Sequence, residues 1–322
     1  FYYDMRNLLL IISILLNLIT GQNYGNVDHS ILYGPIESYG YTPSPETFKI
    51  KINNSYITSN SYFDWKGEKV SNGDTFETIS PNGDIISKEI LEFNYQSDVL
   101  IVDVDYMNNE LHGLGVSVPV YLSRKLNDNI DGMIGFGDYS LKYFILFKPY
   151  ETFHMKTLFS YNRSESGYNI SNYNHFKSLS KNSLGIEQSF DLLFSPKLIV
   201  STKLNYVLNS RDSIPQGVLV SPKNFFDLKI KPVYRIMNNL SFSTELSIDR
   251  YTLNTPIDSD KNLSGGSISI SPIIGYRLLG NKKLGYFDLD GLDLNISFYR
   301  QLDGESMIIP SNFSTSLNLL FK

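Results

Sequence analysis

The chain has 322 residues and is 42% hydrophobic, which is enough apolar side chain for one large domain or for two smaller ones. Its formal net charge of −5 argues against a nucleic-acid partner, because nucleic-acid-binding domains present a basic surface. The sequence contains no cysteine, which excludes disulfides, thiolate metal sites and a lipidated cysteine. Any attachment to a membrane must therefore come from the fold.

The amino-terminal residues have the pattern of a secretory signal peptide. A basic residue, Arg6, precedes a mostly apolar run from Leu8 to Ile19, and Gly21 follows. This run is shorter than the ~20 residues that a membrane-spanning helix needs. We predict a leader and signal peptide over residues 1–21, with cleavage near Gly21 and translated leader sequence before Met5. We interpret residues 22–46 as either a periplasmic segment or a plug in the mouth of the next domain.

From residue 47 onward, apolar and polar residues alternate in segments of roughly ten residues, which is the length that a tilted strand needs to cross a bilayer. Leu292, Leu294, Ile296 and Phe298, for example, alternate with polar neighbours. This pattern predicts an all-β fold, a transmembrane antiparallel up-and-down β-barrel of about 12 strands over residues 47–322. The predicted strands lie near 47–60, 95–107, 113–123, 137–148, 152–163, 183–194, 198–209, 225–236, 240–252, 266–279, 291–300 and 312–321.

The connections between these predicted strands tend to alternate in length. Short ones fall at Asn108–His112, Pro149–Glu151, Ser195–Lys197 and Met237–Asn239, and longer polar ones fall near 61–94, 124–136, 164–182, 210–224, 253–265 and 301–311. Outer-membrane barrels have short periplasmic turns and longer outer loops. We therefore expect both ends of the barrel to lie in the periplasm, in the outer membrane of a Gram-negative bacterium.

Two observations keep a soluble β-sandwich open as an alternative. Alternating strands also build sandwiches, whose apolar faces point inward. In addition, Pro119, Pro232 and Pro272 fall inside predicted strands, where the missing N–H removes a ladder bond unless a bulge absorbs it. The charged polar faces, the short turns on one side and an aromatic strand from Phe313 to Phe321 favour the barrel.

The charged residues of both signs share one face of their strands. A lipid-facing Lys or Arg costs about 2–4 kcal/mol near the bilayer midplane, so these side chains should point into the barrel. The residues predicted to line the lumen are Glu187, Asp191, Lys203, Lys229, Lys231, Arg235, Glu245, Asp249, Arg277 and Asp293.

A turn at Met237–Asn239 fixes the register of one predicted hairpin. If three residues form the turn, Ile236 lies opposite Leu240. Counting back from that pair places Lys231 opposite Glu245 and Lys229 opposite Ser247. Because side chains alternate between the two faces of a strand, all four lie on the inward face. A slip of two residues would keep the faces and place Lys229 opposite Asp249.

Four short segments resemble strands of a known family. Gly135–Tyr143 resembles the Gly-Asp strand opening of the outer-membrane transporters named for the meta-pathway of phenol degradation. Gly115–Tyr121, Phe242–Leu246 and Ile273–Leu278 are similar to further strands of that family, so the resemblance runs from about Tyr95 onward. It implies a barrel that transports small compounds, hydrophobic ones among them.

Three functional classes follow from these observations. The first is a passive channel with lipid and a small-molecule cargo as partners, no catalytic residues, no metal and no cofactor. The second is an outer-membrane hydrolase built on His154 with Ser160, for which no third catalytic residue has a suitable spacing. The third is a barrel that acts as an adhesin or anchor through its long outer loops. The sequence does not determine the oligomeric state.

Overall fold

The computed structural model describes fifteen stretches of the chain, and all of its regular elements are β-strands. The described residues are 38–39, 46–63, 69–71, 73–79, 85–90, 94–126, 135–136, 139–150, 152–163, 182–209, 221–254, 264–284, 287–305, 307–308 and 311–321. The predicted signal peptide, residues 1–21, lies outside them. Within these stretches, no helix has the length and apolar character to span a membrane.

Twelve long antiparallel strands form the domain. They are β1 (Phe48–Ser59), β2 (Tyr95–Met107), β3 (His112–Leu126), β4 (Tyr139–Tyr150), β5 (Phe153–Arg163), β6 (Asn182–Ser195), β7 (Leu198–Asn209), β8 (Ser221–Met237), β9 (Leu240–Asn254), β10 (Ser264–Leu284), β11 (Phe287–Glu305) and β12 (Ser311–Phe321).

These strands form a closed ring. Each one pairs with the next in sequence, and β1 also pairs with β12, where Phe48 lies opposite Phe321 and Thr58 lies opposite Ser311. Every strand of the ring has a partner on both sides, and this satisfies most of their backbone groups without water. The pairing is shortest between β3 and β4, which share six residue pairs from His112 to Ser117. The prediction of an up-and-down barrel of about 12 strands is confirmed.

The connections are short at one end of the ring and long at the other. The short ones span 108–111, 151–152, 196–197, 238–239 and 285–286, and the ends of the barrel at Phe48 and Phe321 lie on the same side. Small strands lie in the long connections: Ser61–Phe63 pairs with Lys69–Ser71 and Met307–Ile308, and Thr75–Ile79 pairs with Ile85–Ile90. A two-residue strand, Gly135–Phe136, pairs with β3.

The turn between β8 and β9 differs from the expected three-residue loop. β8 continues to Met237, which pairs with Leu240, and the register shifts between Arg235 and Met237. The loop therefore has two residues, and the predicted pairing of Ile236 with Leu240 is wrong. The shift in register between Arg235 and Met237 compensates for the shorter loop. Farther from the turn, the strands therefore pair as predicted, with Lys229 opposite Ser247.

The three prolines lie inside β3, β8 and β10, and the strands continue through them. Pro119 lies opposite Ile101, Pro232 opposite Val200 and Pro272 opposite Thr244, and no register shift occurs at any of these pairs. On the other side of each strand the pairing is interrupted at the proline, so the missing N–H leaves a local gap in the ladder and no bulge.

The two faces of the wall differ in polarity, as a lipid environment requires. Large apolar side chains such as Leu184, Phe242 and Ile274 are exposed on one face, while the polar Ser189 and Ser201 on the other face are 0% exposed. In a soluble sandwich the apolar face would be the buried one. The exposed apolar face therefore points outward, and the polar face points into the ring.

An apolar cluster covers part of the inner wall at the short-turn end. Met107, Phe144 and Leu146 are buried there, and Leu158 packs against them. The phenyl ring of Phe144 lies against Gly113 and occupies the space that a Cβ atom there would need. The inner wall is thus polar along most of its length and apolar at one end.

Candidate functional site

Most of the predicted lumen residues gather on one sector of the inner wall, formed by β6, β7, β8 and β9. Alternation places every second residue of these strands on the inward face. Odd-numbered positions are inward in all four strands, since Asp191 lies opposite Ser201, which lies opposite Lys231. We call this sector the charged wall. Its predicted members are Glu187, Asp191, Lys203, Lys229, Lys231, Glu245 and Asp249.

Lys229 is the electrostatic centre of the charged wall. Its Nζ lies 3.5 Å from Glu245 Oε1 and 3.7 Å from Asp227 Oδ2. On the neighbouring strands, Lys203 Nζ lies 3.4 Å from Glu187 Oε2. Each of the two glutamates is diagonal to its lysine, because Lys229 lies opposite Ser247 and Lys203 lies opposite Ser189.

Serine hydroxyls form hydrogen bonds with the aspartates of the charged wall. Asp249 accepts a hydrogen bond from Ser267 Oγ at 3.0 Å. The hydroxyl of Ser247 lies between two carboxylates, 3.0 Å from Asp227 Oδ1 and 3.2 Å from Asp249 Oδ1. These donors partly replace the water that buried carboxylates would otherwise need.

Asp191 is a fully buried carboxylate with both oxygens engaged. Ser201 Oγ donates to its Oδ1 at 2.5 Å, and Ser38 Oγ donates to its Oδ2 at 2.5 Å. Ser38 belongs to the segment that precedes the barrel. The charged wall thus contacts a part of the chain that is more than a hundred residues away in sequence.

Tyr39 makes further contacts with the charged wall. Its N–H donates to Ser201 Oγ at 2.7 Å, and its hydroxyl donates to Glu245 Oε2. Lys231 Nζ lies 4.1 Å from the centre of its ring, and Lys203 Nζ lies 5.2 Å from it. The ring therefore lies within cation–π distance of two lysines.

The other three predicted residues lie nearer the short-turn end. Arg277 and Asp293 are directly opposite each other on β10 and β11, and they form a bidentate ion pair at 2.7 and 2.9 Å. Arg235 is 5% exposed and lies opposite Ser241. The predicted set is therefore not one cluster, since Arg277 and Asp293 lie on β10 and β11, and Arg235 lies at the short-turn end of β8.

The predicted lumen set omits several inner-wall residues. Lys142 Nζ of β4 lies 2.6 Å from Asp103 Oδ1 of β2, although β3 lies between these strands. Gly115 lies opposite Lys142, and the carboxylate of Asp105 occupies the space that a Cβ atom at Gly115 would need. Asp227 lies two residues before Lys229 in β8, so the alternation of that strand could have identified it as an inward residue. The sequence left residues 22–46 as either a periplasmic segment or a plug, and it did not single out Ser38 or Tyr39.

The proposed pairing of His154 with Ser160 does not form a catalytic site. Both lie on the inward face of β5, opposite Asp191 and Gly185, six residues apart along the strand. Six residues of extended strand span about 20 Å, which is far beyond a hydrogen bond. The hydroxyls near His154 donate to the carboxylate of Asp191, which is not the arrangement of a catalytic triad. Among the described residues, no group of three or more His, Asp or Glu residues could hold a metal ion.

Comparison with solved structures identifies the type of barrel. The COG4313 outer membrane channel from Pseudomonas putida F1 superposes with a TM-score of 0.64 at 13% sequence identity, covering 88% of this chain and 98% of that one. The chain has the fold of an outer-membrane β-barrel. No family model matches it, and no curated protein matches its sequence, so the resemblance to the transporters named for phenol degradation stays a prediction.

Two further barrels superpose less closely. The KdgM porin has a TM-score of 0.42 at 9% identity, covering 84% of this chain and 98% of that one. The CymD monoaromatic hydrocarbon channel has a TM-score of 0.39 at 9% identity, covering 86% of this chain and 88% of that one. Similarity at this level carries no argument about cargo.

Proposed function

We propose that this protein is a channel for small molecules in the outer membrane of a Gram-negative bacterium. The observation that carries the proposal is the closed ring of twelve strands with an apolar outer face and a polar inner face. An anchor or an adhesin needs only the outer face. The inner face places ionised side chains around a central path, where they can replace the hydration of a passing solute.

The size of the ring is compatible with a narrow path. Barrels of about 8 strands are filled by their own side chains, and barrels of about 16 strands enclose an open aqueous channel. Twelve strands lie between these limits. The inner side chains therefore decide whether the path is open, and we propose that the ten predicted residues, from Glu187 to Asp293, line it.

For the cargo, we propose small organic molecules, with hydrophobic ones among them. Two features support this choice. The short sequence resemblances described above imply such a cargo. In addition, the inner wall combines the charged wall with the apolar cluster of Met107, Phe144 and Leu146, so that a solute with a polar and an apolar part meets both kinds of surface.

We further propose that transport involves no catalytic step. The separation of His154 from Ser160 along β5 argues against the hydrolase alternative. The anchor or adhesin alternative places the function in the long outer connections, and it predicts a folded barrel that conducts nothing.

Conductance of the purified protein tests the proposal. Refolded protein in planar lipid bilayers should give discrete current steps, and proteoliposomes should swell in isosmotic solutions of small sugars or amino acids. Protein denatured by heat before reconstitution is the control. A barrel that inserts and keeps its fold but gives neither current nor swelling would contradict the channel and favour the anchor.

A further inference from the structure

A row of aromatic side chains marks one level of the outward face near the long-connection end. Tyr56 of β1 lies opposite Phe313 of β12, which lies opposite Phe298 of β11. Each of the three is between 41% and 49% exposed. Aromatic girdles in barrels lie at the boundary between hydrocarbon and headgroups. The headgroup region of the bilayer therefore begins just beyond this row.

The next outward row is polar. Thr58 lies opposite Ser311, which lies opposite Arg300, on the same three strands. Two residues of extended strand separate the two rows by about 7 Å. The two hydroxyls and the guanidinium therefore lie at the depth of the lipid headgroups.

A cavity of about 540 Å³ lies at this polar row. β12 begins at Ser311 while β11 continues to Glu305, and the cavity lies between β11 and the end of β1, so residues from both faces of β11 line it. Its size is within the range of ~300–1,000 Å³ that is usual for small-molecule sites. Phe298 of the aromatic row is part of the lining, which joins the cavity to the apolar outer face.

Two cationic side chains from different elements line the cavity. Arg300 comes from the barrel wall, and Lys69 comes from the small strand Lys69–Ser71 beyond the end of β1. Both are exposed, and within the described part of the chain neither forms an ion pair with Asp or Glu. Two cations that share a cavity repel each other unless an anion lies between them, so the pair favours an anionic ligand.

Gln301 adds a hydrogen-bond acceptor to the same cavity. Its side chain is 4% exposed and lines the cavity, and its Oε1 has no donor among the residues that the structure describes. A buried acceptor without a donor is costly. An anion cannot satisfy this oxygen, whereas a hydroxyl or an amide N–H can. The ligand that fits the cavity therefore carries a donor as well as an anionic group.

We propose that this cavity binds the phosphorylated sugar head of a glycolipid in the outer leaflet. A phosphate offers oxygens to Lys69 and Arg300 at the same time, and a hydroxyl or amide of the sugar donates to Gln301. The acyl chains extend along the outer face past Phe298. The proposal rests on the membrane location and orientation of the barrel proposed above, and it is independent of conductance.

Native mass spectrometry of the refolded protein in detergent micelles tests the site. The probe is lipid A, an acylated and doubly phosphorylated glucosamine disaccharide, titrated in a buffer without divalent cations. Wild type should bind one molecule, and Lys69→Ala with Arg300→Ala should lower the affinity by about tenfold or more, because both charge-assisted contacts are lost. Both side chains are exposed, so the variant should keep the heat-dependent gel mobility of the wild type.

Arg163 provides the matched control. It is an exposed, outward-facing arginine at the long-connection end of β5, and it does not line the cavity. Arg163→Ala should leave the affinity unchanged, while the single variant Arg300→Ala should lower it. An equal loss in these two variants, or no loss in the double variant, would overturn the proposal.

Three further measurements test the chemistry of the ligand. Lipid A from which a phosphatase has removed the phosphates should bind weakly, and it should not distinguish wild type from the double variant. Gln301→Leu should lower the affinity for both forms of the lipid, since both carry the sugar donors. Glucosamine 6-phosphate, which has no acyl chains, should not displace the lipid at equal concentration. Full affinity for the dephosphorylated lipid, unchanged affinity in Gln301→Leu, or displacement by the soluble sugar phosphate would overturn the assignment.

The outcomes separate this site from the channel, because no current is measured. A barrel that conducts but binds lipid A no better than the double variant does would overturn the glycolipid site and leave the channel. A barrel that binds lipid A at this site and conducts nothing would support the site and overturn the channel.

Discussion

Charges on the inner wall do not form a simple ladder of opposite signs. Lys203 lies directly opposite Lys229, and Asp227 lies directly opposite Asp249. Like charges directly opposite each other destabilise a strand pair. The diagonal glutamates Glu187 and Glu245 offset the lysine pair, so the charged wall consists of linked diagonal pairs. A change at one charge therefore alters several neighbours.

This linkage leads to a prediction about ion selectivity. Glu245→Lys should shift the reversal potential in asymmetric salt toward anion selectivity, and Lys231→Glu should shift it toward cation selectivity, because fixed charges at a constriction select ions by sign. Both measurements use single channels or multichannel bilayers of refolded protein. Glu110→Lys, an equal change of charge at an exposed turn, is the control and should leave the reversal potential unchanged.

Unchanged selectivity in both variants, together with intact conductance, would show that these side chains do not line the conducting path. A shift of equal size in the Glu110→Lys variant would show that the effect comes from the net charge of the protein.

The ion pair of Arg277 with Asp293 leads to a prediction about stability. Asp293→Ala leaves a partly buried guanidinium without its bidentate partner and should lower the free energy of unfolding by about 1–3 kcal/mol. Urea titration of the refolded barrel, followed by tryptophan fluorescence or gel mobility, measures the change. Adding Arg277→Ala to that variant should cost less than the sum of the two single changes, since the second substitution removes the stranded charge. Additive losses would mean that the two residues act independently.

At the scale of the strand, the sequence carries most of the information. The alternation of apolar and polar residues predicted the bounds of β5 and β7 to within one residue at each end. It does so because one face of each strand meets lipid and the other meets the polar interior. The predicted bounds were too short for β10 and β11, which form a hairpin of 21 and 19 residues. At the turn end, residues 280–284 of β10 pair with residues 287–291 of β11 beyond the last pair of β9 with β10. At the other end, residues 301–305 of β11 pair with residues 266–269 of β10.

The two ends of the barrel lead to a prediction about sidedness. In the cysteine-free chain, Ser213→Cys and Asp258→Cys, in long connections, should react with a membrane-impermeant maleimide on intact cells. Asn238→Cys, in the two-residue turn after β8, should react only after the outer membrane is permeabilised. Barrels of this type place short turns in the periplasm. Labelling of Asn238→Cys alone on intact cells would invert the topology.

At the scale of the whole molecule, the inner wall was predictable in part. Parity assigned all ten charged residues to one face of their strands. It could not show that eight of them lie on the four adjacent strands β6 to β9, since that follows from the order of strands around the ring. It also could not place Ser38 and Tyr39, because contacts across more than 150 positions leave no local pattern.

Closure of the ring leads to a prediction about the intact protein. The unboiled barrel should migrate differently on a denaturing gel from the boiled chain, and it should fractionate with outer membranes after detergent removes the inner membrane. Twelve strands closed into a ring resist detergent because most backbone groups in the wall are paired with a neighbouring strand. Recovery as a soluble periplasmic protein with no heat-dependent shift would contradict the membrane location.

The pairing of β1 with β12 also constrains how the chain folds. The first and last strands of the ring are separated by about 250 residues in sequence, yet they share eleven residue pairs. Until that final pairing forms, the sheet has two open edges that can pair with other chains. Folding should therefore be slow and sensitive to protein concentration. An intermediate with an open edge would be the point at which aggregation competes with closure, and a factor that shields β1 until β12 arrives would raise the yield of folded barrel.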